Sequence, residues 1–156
     1  MTGETLSHFD CQALEWVNQV LEGHNPLGHM ADEKVEEIYA LAFFLYRNQQ
    51  YQDASHFFRL LVVFRPSEAK YWKGFGACQQ MQQDYEHALN CYMSAQILHQ
   101  NRPDPYLYVY AADCYFALKQ KENGLKALEA ARLKGEETKD ARILKHVALM
   151  HDLWSK

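Results

Sequence analysis

The 156-residue chain has no long hydrophobic run: nowhere do its apolar residues approach the roughly 18 that a membrane-spanning helix needs, so direct membrane insertion is not expected. No basic-then-apolar leader opens it. An excess of positive charge is also missing. The formal net charge of -4 argues against a general nucleic-acid or membrane-surface binder. The four cysteines, Cys11, Cys78, Cys91 and Cys114, lack any C-x-x-C spacing and read as reduced thiols of a cytoplasmic protein. Catalytic signatures are absent too: there is no H-E-x-x-H, no G-x-S-x-G, no glycine-rich phosphate loop and no carboxylate pair in a motif context. His146 and His151 are five positions apart, the wrong spacing for a shared metal site on a helix. His24 and His29 flank a Pro/Gly loop, where solvated histidines are far commoner than ligands. Gly74-Phe75-Gly76 lies inside a helical pattern with no strand before it, which excludes a dinucleotide loop. No catalytic residue, metal or cofactor is expected, and the chain does not read as an enzyme.

What is present is repetition. Ile38, Leu41, Ala42, Ala54, Phe58, Leu61 and Pro66 are answered 34 positions later by Trp72, Phe75, Gly76, Ala88, Tyr92, Ala95 and Gln100. An aromatic or apolar residue followed by a small one, then Ala-x3-aromatic, at this period is the signature of the tetratricopeptide repeat. Each unit is a pair of antiparallel helices that cannot bury its apolar face alone and must stack on a neighbour. The fold class expected is therefore all-α, a tetratricopeptide helix-hairpin solenoid. Units span 35–68 and 69–102. A third, at 105–138, comes after what reads as a two-residue insertion at Pro103 and Asp104. In that unit Gly124 takes the place of the usual alanine, at a cost to the helix of about 1 kcal/mol.

Residues 139–156 form a capping helix on an apolar set of Ala141, Leu144, Val147, Ala148 and Leu149. Residues 1–34 hold a further helix and linker. There Leu6, Phe9, Trp16, Val17 and Val20 share one face, a stripe that could pack on the first repeat, on a second copy of the chain or on a partner. Because the repeats already have a C-terminal cap, a weak homodimer through this arm is the expectation. Helices are expected near 6–22, 33–47, 51–64, 69–81, 85–98, 105–118, 122–133 and 139–152, with Asp32 capping the first repeat.

The first helix of each hairpin lines the hollow side of such a stack. By position, Tyr39, Phe43 and Tyr46 of the first unit, Lys73, Ala77 and Met81 of the second, and Tyr106, Val109 and Asp113 of the third point into it. The aromatic trio is either buried beneath the N-terminal segment or lines a groove that grips an extended apolar or proline-bearing peptide.

With these residues in place, the stretch from about Leu27 to Leu133 resembles the class II chaperones of bacterial type III secretion systems. The resemblance is carried by Ile38-Tyr39-Ala40-Leu41-Ala42-Phe43, Tyr51-Gln52-Asp53-Ala54, Gly74-Phe75-Gly76-Ala77-Cys78 and Ala111-Ala112-Asp113-Cys114. It implies three tetratricopeptide units flanked by an N-terminal and a C-terminal helix. It also implies a non-enzymatic cytoplasmic role, keeping hydrophobic translocator proteins soluble and unassembled before export, and homodimers through the N-terminal region. A client segment with spaced prolines and a leucine would lie along Tyr39, Phe43 and Tyr46 and continue over Lys73, Ala77 and third-unit residues. The alternative is a general tetratricopeptide scaffold or adaptor for another peptide. A clamp for acidic tails would place Lys and Asn where this chain has Tyr39 and Phe43.

Overall fold

The structure is a computed structural model that describes residues 30–99, 101, 102 and 104–156. Its described residues form seven helices and no strand: α1 (Asp32–Arg47), α2 (Tyr51–Phe64), α3 (Ala69–Met81), α4 (Tyr85–Leu98), α5 (Pro105–Ala117), α6 (Lys121–Thr138) and α7 (Ala141–Trp154). The expected N-terminal helix and its stripe of Leu6, Phe9, Trp16, Val17 and Val20 lie outside the described residues.

Local chemistry explains most boundaries. The residue before a proline is pushed out of helical geometry, and α2 ends one residue ahead of Arg65, whose ψ of 66° breaks the helix before Pro66. Asp84, Asp104 and Asp140 cap α4, α5 and α7 by accepting hydrogen bonds from main-chain N–H groups of the first turn, and Pro105 opens α5 with its φ already set. Asp32 does not cap α1. It is the first helical residue, Ala31 holds the cap position, and the Asp32 carboxylate instead accepts from Arg65 Nη2 at 2.8 Å, joining α1 to the end of α2.

The turns inside the hairpins are one motif used three times. Gln49, Gln83 and Lys119 adopt left-handed φ values of 62°, 64° and 61°. The next N–H reaches back five residues in each case: Gln50 to Leu45, Asp84 to Gln79 and Gln120 to Tyr115, at 2.8–2.9 Å. This is a Schellman closure built without glycine.

The core is a chain of neighbouring clusters, as nearest-neighbour stacking requires. Val35, Ala42, Ala54, Phe58, Leu61 and Tyr71 fill the first, Ala88, Tyr92, Ala95, Leu107 and Cys114 the second, and Val109, Phe116, Leu128, Ala131, Ile143 and Val147 the third. Gly76 is a packing requirement: a Cβ there would stand 2.8 Å from the Tyr92 ring and 3.1 Å from Cys91 Cβ. Cys78, Cys91 and Cys114 are buried and free, and burial pushes each thiol up to about 12. They act as small apolar side chains.

Three further expectations need correction. Leu41, a position of the repeat signature that stacking is expected to bury, is 43% exposed. Helix α6 does not stop near 133 but runs to Thr138, because Gly135 is a contact position rather than a breaker: a Cβ there would sit 2.8 Å from Ile143 Cγ2. The buried face of α7 is set by Ile143 and Val147, with Met150 and Trp154 beside them, while Ala148 and Leu149 face solvent.

Candidate peptide-binding groove

The odd-numbered helices α1, α3 and α5 share the walls of a cavity of about 600 Å³. From α1 come Tyr39, Phe43 and Tyr46; from α3, Lys70, Lys73, Gly74, Ala77, Gln80 and Met81; from α5, Tyr110 and Asp113. Phe58 of α2 and Tyr92 of α4 form its floor. A cleft of this size walled by aromatic rings and a few convergent polar groups is the usual form of a ligand site.

The rings differ in how firmly they are held. Tyr39 is half-buried, edge-on to Phe58 with centroids 6.2 Å apart and 5.3 Å from Tyr71. Tyr46 packs edge-on to Tyr51 at 5.4 Å, and burial raises its phenol pKa. Among the described rings and cations Phe43 meets Tyr39, at 6.3 Å, and the Arg47 guanidinium, and it stays 47% exposed. An aromatic face of that size left open at a cleft wall is the feature that marks an interaction site rather than a core. On the floor, Tyr92 donates to Gln80 Oε1 at 2.7 Å, which fixes both side chains.

The cations on the wall are already engaged. Lys70 lies 4.9 Å from the centre of the Tyr39 ring and 5.1 Å from that of Tyr71, and pairs with Glu36 at 3.4 Å. Lys73 donates to Asp104 at 2.8 Å and sits near the Tyr106 and Tyr110 rings. Asp104 therefore caps α5 and anchors a groove lysine, a double role that sequence reading missed by treating it as part of an insertion. The signal was available: Asp32–Arg65, Glu36–Lys70 and Lys73–Asp104 each join opposite charges about one repeat apart.

Of the nine groove residues expected from sequence, Tyr39, Phe43, Tyr46, Lys73, Ala77, Met81 and Asp113 line this one cavity. Tyr106 stands outside the lining, beside Tyr110 at 6.3 Å and within reach of Lys73. Val109 is a correction. It is 4% exposed and belongs to the cluster with Ile143 and Val147, because α7 packs where a further repeat would begin and covers that position. Sequence reading also overlooked Tyr110 and Tyr92 as groove residues. Tyr92 carries an aromatic position of the repeat signature and was assigned to packing alone.

These features define a helix-hairpin solenoid of the tetratricopeptide type with an aromatic-walled groove. The tetratricopeptide repeat family model matches residues 35–67 and 69–101. Among curated proteins the chain is similar to the low calcium response locus protein H of Yersinia pestis, at 29% identity over 102 residues covering 64% of this chain and 60% of that protein. The chain thus spans less than two thirds of that relative's length. Among solved structures it is similar to PcrH in complex with the chaperone binding region of PopD, at 25% identity and a TM-score of 0.77 over 83% of this chain and 96% of that one. PcrH comes from Pseudomonas aeruginosa. The type III secretion translocator chaperone SycD of Yersinia enterocolitica, 22% identical with a TM-score of 0.74 over 83% of this chain and 88% of that one, shares the fold. The resemblance carried by the sequence motifs thus extends to these relatives and solved structures.

Proposed function

We propose that the chain is a type III secretion chaperone that holds an extended N-terminal segment of a hydrophobic translocator protein in the groove between α1, α3 and α5. The observation that carries this reading is the open Phe43 ring beside Tyr39 and Tyr46, on a fold similar to that of PcrH bound to the chaperone binding region of PopD. Rigid rings with polar tips suit an extended peptide bearing prolines, which has little entropy left to lose on binding. The reading places the protein in the cytoplasm, acting before export by occupancy and not by chemistry, and as a weak homodimer through residues 1–34. Among the described residues no helix is long and apolar enough to cross a membrane, and no group of three or more His, Cys, Asp or Glu could hold a metal. A scaffold for acidic peptide tails is disfavoured because Lys70 and Lys73 are already paired with Glu36 and Asp104.

Co-expression of the chain with translocators encoded in the same genome, followed by co-purification, tests the proposal. A soluble complex is expected, and Phe43→Ala or Tyr46→Ala should weaken it by about 2 kcal/mol or more if these rings are anchors. Translocators that stay insoluble, or a complex untouched by both substitutions, would overturn it.

A further inference from the structure

We infer that Asp113 is the specificity-setting subsite of the groove, which takes a basic side chain, lysine or arginine, of the bound segment and so fixes that segment's register. The inference rests on reading the cavity as a peptide groove. Its basis is the sorting of charges on the cavity wall. Lys70 and Lys73 each have a carboxylate partner and aromatic neighbours, so neither awaits a ligand. Asp113 is the remaining charged group on the wall. It is half-buried on α5 and has no hydrogen bond or ion pair with any described residue.

The groups that face Asp113 do not compensate it. Tyr110 and Cys114 are on its own helix, and the opposing pull of His146 of α7, an exposed side chain, is outweighed by burial. Burial is the larger influence and raises the Asp113 carboxyl pKa. A carboxylate that has lost part of its water and gained no partner is a cost the empty groove carries. A cation brought by the bound segment removes that cost through a charge-assisted hydrogen bond. Tyr46 and Tyr110 line the same cavity and offer ring faces, which also favour a cation over a neutral donor. A segment with an apolar residue or a carbonyl at this point would leave the carboxylate unpaired, and sites built this way discriminate strongly.

The test uses the full chain and two sets of extended synthetic peptides with spaced prolines and one leucine. One set carries a single lysine walked through every position; the other has glutamine there. Fluorescence anisotropy should find one position at which lysine binds on the order of ten-fold tighter than glutamine. That preference should shrink at high salt and vanish in Asp113→Asn, while both peptides still bind and still depend on Phe43. Equal binding of lysine and glutamine peptides at every position, or a lysine preference that survives Asp113→Asn in a variant shown by melting to be folded, would overturn the inference and leave the groove reading standing. If no peptide binds, or binding ignores Phe43→Ala, the groove reading fails and the inference falls with it.

Discussion

The first repeat and the C-terminal end of the stack use equivalent positions for opposite purposes. In α1, Tyr39 leans on the next repeat yet keeps one side open, and Phe43 one turn on is half in water. In α5, Val109 occupies the unit position of Tyr39 and is sealed under Ile143 and Val147, while Phe116 is stacked on Trp154 with centroids 4.4 Å apart and planes 3° from parallel. The difference lies in the helix stacked next on each. Beside α1 stands α3, which seats Tyr71 against Tyr39 but presents Lys70, Lys73 and Gly74 to the cavity, too polar or too small to close the gap. Beside α5 stands α7, which offers Ile143, Val147 and Trp154. Repeat position therefore says which way a side chain points but not whether it meets water. The neighbour's composition decides that.

The sharpest break of this comparison is a pair of truncations. Phe116→Ala should lower unfolding stability by about 3–5 kcal/mol, as for a buried ring whose site cannot collapse. Phe43→Ala should cost under about 1 kcal/mol, since nearly half the ring is already in water. Urea melts of the two variants measure both. Similar losses would mean that the groove wall is core.

A smaller effect tests the turns that all units share. Gln83 holds φ at 64°, a conformation that costs a non-glycine residue of order 1 kcal/mol. Gln83→Gly should therefore raise stability by about 0.5 kcal/mol or more, net of the extra freedom glycine gives the unfolded chain. A shift in the urea midpoint is the readout.

The smallest effect expected is electrostatic. Burial raises the Asp113 pKa in the folded chain above its unfolded value, so the folded state is penalised when the group is ionised. The penalty is absent below the ordinary carboxylate pKa and grows as pH rises towards the folded one, above which it is complete. Asp113→Asn should thus raise Tm at neutral pH and give no gain at about pH 3. A gain of equal size at both pH values would assign the effect to shape and not to charge.

Much of the solenoid was legible because its signals are local and repeated. The spacing of Ala54, Phe58 and Leu61, and the answering Ala88, Tyr92 and Ala95, is enough to place α2 and α4, and Pro66 marks an end that no tertiary contact could move. The α1 wall of the cavity was legible for the same reason: turn-by-turn spacing puts Tyr39, Phe43 and Tyr46 on one face of α1. The C-terminal end was not. Gly135 carries the same letter as a helix terminator, and only the approach of Ile143 reveals it as a contact. The phase of α7 was misjudged because Ala148 and Leu149 are apolar but unpaired, whereas Trp154, beyond the expected end, is the residue that stacks. Val109 looked like a groove residue because sequence alone does not say that the last repeat is covered.

The thinness of α1 has a mechanical consequence. It fully buries only Val35 and Ala42, as few as the capping helix α7 and far fewer than the six residues of α5. Among the described residues little therefore holds it when the stack breathes. On the function proposed above, a segment lying in the groove touches α1 and α3 at once and works as a splint. The protein is then firmest when loaded and loosest when empty, so release of the bound segment and loosening of the first repeat become a single linked event.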